Sequence, residues 1–448
     1  MLARARRLLQ EGLREDAYAA YLELLHHDPA HPAALHELGH LAYRDNRRTA
    51  ALTIYRQIVE MWPQDAVGRV NLGNILYENG ALVEAEHHFE AAVALDPNSG
   101  EAHRGLGRIL SDRGDAGAAD QRWRQSFPGQ AIATETLNGG GAAASILVLY
   151  SAKGGNIPTR DILQDGVFTV TTLYAEYYKP DLPLPPHALV FNAIGDADLC
   201  PEALAMAERV VAQTDAPVIN LPARVSQTGR ANNAKRLGAI TGVRTPDTQI
   251  VSREKLAGAA AVEFPLLLRA LGFHTGQHFV RVERAEDLAD ASLALPGDPL
   301  LLIEYLDARG FDGMARKYRV MVIDGVIYPL HLAISADWKV HYFTAGLADN
   351  ADWRAEEQRF LKDMPAILGA NAMAALTKIG ETLGLDYMGI DFALDKDKSI
   401  LLFEANATMV IVPPSPEPMW DYRRAAIARA LGAAQDLLRG RLAHQKIA

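Results

Sequence analysis

Four residue series recur through the first quarter of the chain at a single spacing of 34 residues, and this periodicity constrains the fold more than any local pattern. Ala17, Ala51, Ala85 and Ala119 form the first series, and Tyr21, Tyr55, Phe89 and Trp123 follow each of them by four residues. Gly39, Gly73 and Gly107 make the third series, and Pro29, Pro63 and Pro97 the fourth. Small residues let two helices approach closely, an aromatic ring fills the space beside them, and proline stops the second helix of each pair. Gly12, Gly80 and Gly114, with Asn46 in the equivalent slot, supply the left-handed position that ends the first helix.

The pattern resembles the tetratricopeptide repeat over residues 1–128. In that family the first helices line a concave groove. The resemblance therefore implies a docking surface for a polar peptide or protein segment at His36, His40, Tyr43, Val70, Asn74, Tyr77, Arg104 and Arg108. The same residues also fit the solvated inner face of a packing or dimerisation module, so a homo-oligomer stays open. His36-Glu37-Leu38-Gly39-His40 reads as H-E-x-x-H, the helical zinc motif of metalloproteases. The repeat register accounts for it instead, because Leu38-Gly39 recurs as Leu72-Gly73 and Leu106-Gly107.

At about 150 residues per domain, 448 residues suggest roughly three domains. A net charge of -10 argues against nucleic acid or anionic lipid as the main partner. A single cysteine, Cys200, excludes an intramolecular disulfide, a cysteine-based zinc site and a CxxC redox centre. The chain contains no apolar run of about 18 residues, and its basic start lacks the apolar core of a secretory signal. The expectation is a soluble cytoplasmic protein that does not enter a membrane.

Beyond Pro128 the period stops. Residues 129–145, with Asn138-Gly139-Gly140-Gly141, read as a flexible linker. Over 146–228, apolar runs (SILVLYSA, ALVFNAIG, APVINLP) alternate with a helical stretch, predicting a small α/β domain with a largely parallel sheet. Ligands of such sheets sit at the carboxyl ends of strands. The Lys153-Gly154-Gly155 loop and the Asn192–Asp196 loop are therefore candidate substrate contacts, or else ordinary turns. Residues 229–440 read as α+β, with Asp324-Gly325 signalling a type I′ hairpin, and 441–448 read as a tail.

The most informative segment is YMGIDFALDKDKSILLFEANA at 387–407. Centring its polar tip between Asp397 and Lys398 sets Asp391 opposite Glu404, with Asn406 on the same face. Opposed like charges destabilise a sheet unless a cation lies between them, and magnesium suits two carboxylates and a neutral oxygen. A register slipped by one residue would instead turn one acid to solvent.

Here the sequence resembles the ATP-grasp enzymes, such as D-alanine:D-alanine ligase, glutathione synthetase and the ligases that add glutamate to ribosomal protein. The fold implied is multidomain: an all-α repeat solenoid, an α/β pre-ATP-grasp domain and an α+β ATP-grasp domain. The resemblance implies magnesium at Asp391, Glu404 and Asn406, and ATP phosphates at Arg269, at the end of FPLLLR, and at Arg230. It further implies a glycine-bearing loop with Thr275 and Gly276, and an adenine-reading hinge at Glu304, Tyr305 and Leu306. Lys317 and Arg319 fall on the strand that contacts the transferring phosphate, Arg319 as the catalytic residue. His331, Ser335, Lys339 and His341 form a polar run that either touches substrate or is an exposed connection. Two departures stand out: arginine replaces both phosphate lysines, and Ala270 replaces the usual proline. Charge is kept, but reach and geometry change.

The activity implied is ATP-dependent joining of a carboxylate to an amine through an acyl phosphate, with the repeats docking a peptide, protein or carrier. The alternative is a nucleotide-sensing binding protein that has lost turnover.

Overall fold

The computed structural model describes residues 1–11, 13–45, 47–127, 131–137, 144–163, 168–256, 263–271, 278–340 and 346–444, leaving aside the side chains of residues 10, 135–137 and 444. The chain forms two compact units, Met1–Gly129 and Gln130–Ala448.

The first unit is built from helical pairs: α1 (Leu2–Gln10) with α2 (Arg14–His27), α3 (Pro32–Arg44) with α4 (Arg48–Met61), α5 (Ala66–Glu78) with α6 (Leu82–Leu95), and α7 (Gly100–Asp112) with α8 (Ala116–Gln125). The periodic alanines and aromatics are all buried. The glycine series explains their spacing. A Cβ on Gly39 would stand 3.0 Å from Tyr55, one on Gly73 2.8 Å from Phe89, and one on Gly107 2.6 Å from Cδ1 of Trp123. Each glycine is thus the seat for the aromatic sixteen residues further on. Gly80 and Gly114 adopt the expected left-handed backbone, at φ 78° and 84°, whereas Gly12 and Asn46 lie outside the described residues.

Among the described residues the second unit holds three sheets. The first comprises β1 (Ile132–Leu137), β2 (Ala144–Tyr150), β3 (Phe168–Tyr174), β4 (Leu189–Asn192) and β5 (Val218–Ile219), in the order β1-β3-β2-β4-β5, parallel except for β1. After β6 (Val243–Arg244) come β7 (Thr248–Val251), β8 (Leu266–Ala270), β9 (Phe279–Val282) and β10 (Leu300–Glu304), an antiparallel sheet ordered β7-β10-β8-β9. Finally β11 (Ala315–Ile323), β12 (Val326–Ser335), β13 (Tyr387–Leu394) and β14 (Ile400–Asn406) form the third sheet, β12-β11-β13-β14-β6. Helices 351–362, 370–383 and 421–444 support this sheet. Phe360 packs against Tyr318, and a Cβ on Gly380 would meet Val322 at 3.2 Å.

The region is mixed α/β with several sheets. The stretch expected as a linker carries β1, which pairs with β3 and so extends the first sheet. Hydrogen bonds cross the expected 228/229 boundary: Asn220 donates to the Tyr387 carbonyl at 2.8 Å, and Asn233 to those of Thr228 and Ala405 at 3.0 and 2.7 Å. The expected tail is helical to His444, and Arg441 bonds Asp324 and Asp386 at 2.8 and 2.9 Å. The Asp324-Gly325 turn is type I′, with φ 48° and 79°. Among the described residues no helix is long and apolar enough to cross a membrane.

Candidate functional site

Strand pairing sets one row of side chains across four strands of the third sheet: His331 on β12, Arg319 on β11, Asp391 on β13 and Glu404 on β14. Cross-strand partners share a face, so this row is a direct consequence of register. β-Bulges flank it on both outer pairings, leaving Leu330 and Phe403 unmatched. Asp391 stands opposite Glu404 as expected, but by a different route. The hairpin turns one half-step earlier, pairing Leu394 with Ile400, and the Phe403 bulge restores the register.

The charges along this row are balanced by protein cations. Arg319 donates from Nε and Nη2 to the two Asp391 oxygens at 2.6 and 2.7 Å, and Lys317 Nζ lies 3.1 Å from Oδ2. Burial pushes the Asp391 carboxyl up, but Arg319 and Lys317 outweigh it and hold the group well below the usual carboxylate range. Glu404 Oε1 accepts from Arg230 Nη2 at 2.6 Å and from Asn406 Nδ2 at 2.9 Å. Asn406 Oδ1 accepts from the backbone N–H and hydroxyl of Thr408 at 3.0 and 2.9 Å. The opposed carboxylates therefore do not by themselves require a metal, which corrects the electrostatic argument made from sequence. Their donor chemistry still suits one: two carboxylates and an amide oxygen are hard oxygen ligands. Among the described residues, no group of three or more His, Cys, Asp or Glu could hold a metal ion.

Arg319, Asp391 and Glu404 of this row border a cleft between the second and third sheets, with a cavity of about 200 Å³. In β8 the period-2 alternation buries Leu266, Leu268 and Ala270 in the core of its own sheet and turns Leu267 and Arg269 into the cleft. Five basic side chains (Arg230, Arg269, Lys317, Arg319, Lys339) line it against three acidic ones (Glu304, Asp391, Glu404). Burial, and then repulsion from Arg230, push the Arg269 guanidinium down to about 10. For Arg230 burial is outweighed by Glu404, Asp196 and Asp198, which raise it. Asp198 accepts from the Arg230 backbone N–H at 3.0 Å, and burial raises its carboxyl. The cleft's remaining lining is apolar and aromatic, and includes Ile303, Leu306, Phe279, Trp338 and Phe403. Trp338 meets Phe279 and Tyr305 edge-on, with centroids at 5.5 and 6.3 Å.

Of the expected site residues, Arg230, Arg269, Glu304, Tyr305, Leu306, Lys317, Arg319, Asp391 and Glu404 line this cleft. Asn406 lines the adjoining cavity behind Glu404. The Glu304 carboxylate is turned to Arg244 and the Asp247 N–H, at 2.6 and 3.0 Å. Thr275, Gly276 and His341 lie outside the described residues. His331 is neither an exposed connection nor part of the cleft lining: it is buried within β12, and burial and Arg319 hold its imidazole well below the ordinary value. Ser335 Oγ accepts from the Asp337 N–H at 3.0 Å.

The Lys153-Gly155 loop is likewise not among the cleft lining. Lys153 bonds Glu202 at 2.9 Å, the Gly154 carbonyl accepts from Cys200, and the Gly155 carbonyl accepts from Gly195 and Asp196. Sequence reasoning missed Phe279, Trp338 and Phe403 as cleft residues. An apolar ring in a connection, as in Ser335-Ala336-Asp337-Trp338, was the available signal.

In the first unit, most expected groove residues bond to the neighbouring repeat. Tyr43 donates to Glu78 at 2.5 Å, Tyr77 to Asp112 at 2.8 Å, and Arg108 to Asn74 at 2.8 Å. His36 bonds Asp65 at 2.5 Å, while Glu37 accepts from Arg6 and Tyr21, so both have partners inside the array. Arg104 lies over Phe127 at 5.6 Å. His40 lines a cavity of about 270 Å³ with Arg6, Tyr21, Glu37 and Arg44.

The tetratricopeptide-repeat family model matches residues 2–66, 36–99 and 70–131. Among curated proteins there is no match. Similar solved structures include a crystal structure of MamA, 18% identical over 28% of this chain and 73% of that chain at a TM-score of 0.26. Another is the 41-end form of MamA from Desulfovibrio magneticus RS-1, 22% identical over 28% of this chain and 71% of that chain, also at 0.26. The N-terminal region of the chain consists of tetratricopeptide repeats.

Proposed function

We propose that the second unit is an ATP-grasp ligase, joining a carboxylate to an amine with ATP converted to ADP and phosphate, and that the repeats dock a peptide, protein or carrier substrate. The observation that supports it most is the composition of one cleft: apolar and aromatic walls suited to a base, together with an excess of cations beside opposed carboxylates. Repeat arrays present extended concave surfaces to protein partners, which supports the docking role.

In this reading Arg269 and Arg230 hold the nucleotide's phosphates, and Arg319 offsets charge on the transferring group. Asp391, Glu404 and Asn406 would hold magnesium, which when bound would neutralise phosphate charge. A substrate carboxylate oxygen attacks the γ-phosphorus and the bond to ADP breaks, giving an acyl phosphate. The amine then attacks the acyl carbon, phosphate leaves with the C–O electron pair, and nitrogen loses a proton. The protein supplies position and charge, and no side chain need act as nucleophile.

Calorimetric titration of MgATP into wild type and Glu404→Gln tests the reading. Binding that needs magnesium and weakens in the variant supports it, and no binding to folded wild type overturns it. The arginines at both phosphate positions favour a second reading, a nucleotide sensor without turnover. Formation of ADP with an acid and an amine supplied would exclude that one.

A further inference from the structure

Within this reading of the cleft, a divalent ion and the phosphate chain would each need groups that the other's partners now hold. Asp391 has a guanidinium on both oxygens and an ammonium beside one, and it is almost fully buried. Glu404 is held by Arg230. An ion arriving alone must displace these cations and leave them unpaired in a cleft already rich in positive charge. A phosphate chain arriving alone must draw Arg319, Lys317 and Arg230 off their carboxylates, leaving two acids opposed on neighbouring strands.

We propose that the site works by partner exchange: metal and phosphates enter together, the phosphates taking Arg319, Lys317 and Arg230 as the metal takes Asp391 and Glu404. This inference rests on the proposed function and adds to it a coupling built into the strand register. Lys317 and Arg319 lie two residues apart on one face of β11, both directed at Asp391. The strand thus presents two cations to one acid, and a single arriving ligand cannot satisfy both sides. Because the internal partners compete with the ligands, each removed internal cation should help the metal, and each removed carboxylate should help metal-free phosphate.

The test uses the full-length protein and two probes, Mn2+ alone followed by electron paramagnetic resonance, and ATP alone in EDTA followed by calorimetry. Wild type should bind each weakly. Lys317→Gln and Arg319→Gln should each tighten Mn2+ binding by about tenfold or more, within the usual range of coupling. Asp391→Asn should tighten metal-free ATP by a similar factor, where losing a simple metal ligand would leave it unchanged. Lys317→Gln leaves the two-bond Arg319 pair in place and so keeps the test alive if Arg319→Gln fails to fold. Unchanged or weaker Mn2+ binding in a folded Lys317→Gln protein, or unchanged or weaker metal-free ATP binding in folded Asp391→Asn, overturns the exchange while MgATP still binds wild type. If MgATP fails to bind wild type, the reading of the cleft falls first and the exchange falls with it.

Discussion

Arg319 and Asp391 occupy facing positions on adjacent antiparallel strands and share two hydrogen bonds, with the carboxylate almost fully buried. Removing Arg319 strips both guanidinium hydrogen bonds from a buried carboxylate and leaves it to Lys317. Arg319→Met should therefore destabilise the second unit by about 3 kcal/mol, and adding Asp391→Asn should recover part of that loss. Urea unfolding of the two single variants and the double variant checks this. Strict additivity would show that the pair contributes nothing.

His331 contributes a pH dependence with a definite sign. Burial and Arg319 depress its proton affinity in the folded state, whereas the unfolded chain binds a proton near the ordinary imidazole value of about 6.5. Below that pH the unfolded state binds more protons, so stability falls as pH falls and is flat above it. His331→Leu should remove a slope of up to about 1.4 kcal/mol per pH unit below pH 6.5, read as the wild-type minus variant difference in unfolding free energy.

Gly73 seats Phe89 in the repeat array. Gly73→Ala puts a methyl 2.8 Å from the ring and should cost about 1–3 kcal/mol. Gly80→Ala meets no neighbour and is disfavoured only by its φ of 78°, so about 1 kcal/mol is expected. Thermal unfolding of the two variants should rank them in that order. Pairing Gly73→Ala with Phe89→Leu should give less than the summed loss.

Trp338 reports on the cleft. It stands against Phe279 and Tyr305 in the cavity wall, so MgATP should change its fluorescence, and Trp338→Phe should abolish that part of the signal. A titration that leaves emission unchanged in wild type would place the nucleotide elsewhere.

The repeat unit was legible from sequence because a 34-residue period repeats the same packing problem and is answered each time by the same residue types. Arg269 was legible only through the resemblance of FPLLLR, and hairpin spacing set Asp391 opposite Glu404 although the Phe403 bulge, which it did not foresee, was needed to bring them there. The cleft was not legible where a residue arrives from a connection, as Trp338 does, since no periodicity governs that approach. Lys153 and the groove tyrosines show the converse limit. Their places, after the carboxyl end of a strand and on the first helices of the repeats, marked them as contacts for a ligand, and their partners turned out to be a neighbouring helix and neighbouring repeats. β1 was missed because the glycines that follow it, Gly139 to Gly141, drew the whole stretch into a linker.

The unmatched Phe403 gives the carboxylate hairpin a joint between its tip and its functional end. On the tip side the strands count from the turn, and on the far side they count from Asp391 and Glu404, so the two halves have separate registers. The turn with exposed Lys396, Asp397 and Lys398 is therefore a practical attachment point: a spectroscopic label or short tag inserted there can follow the hairpin without shifting the carboxylates, since Asp391 takes its alignment from β11 and Glu404 from Asp391.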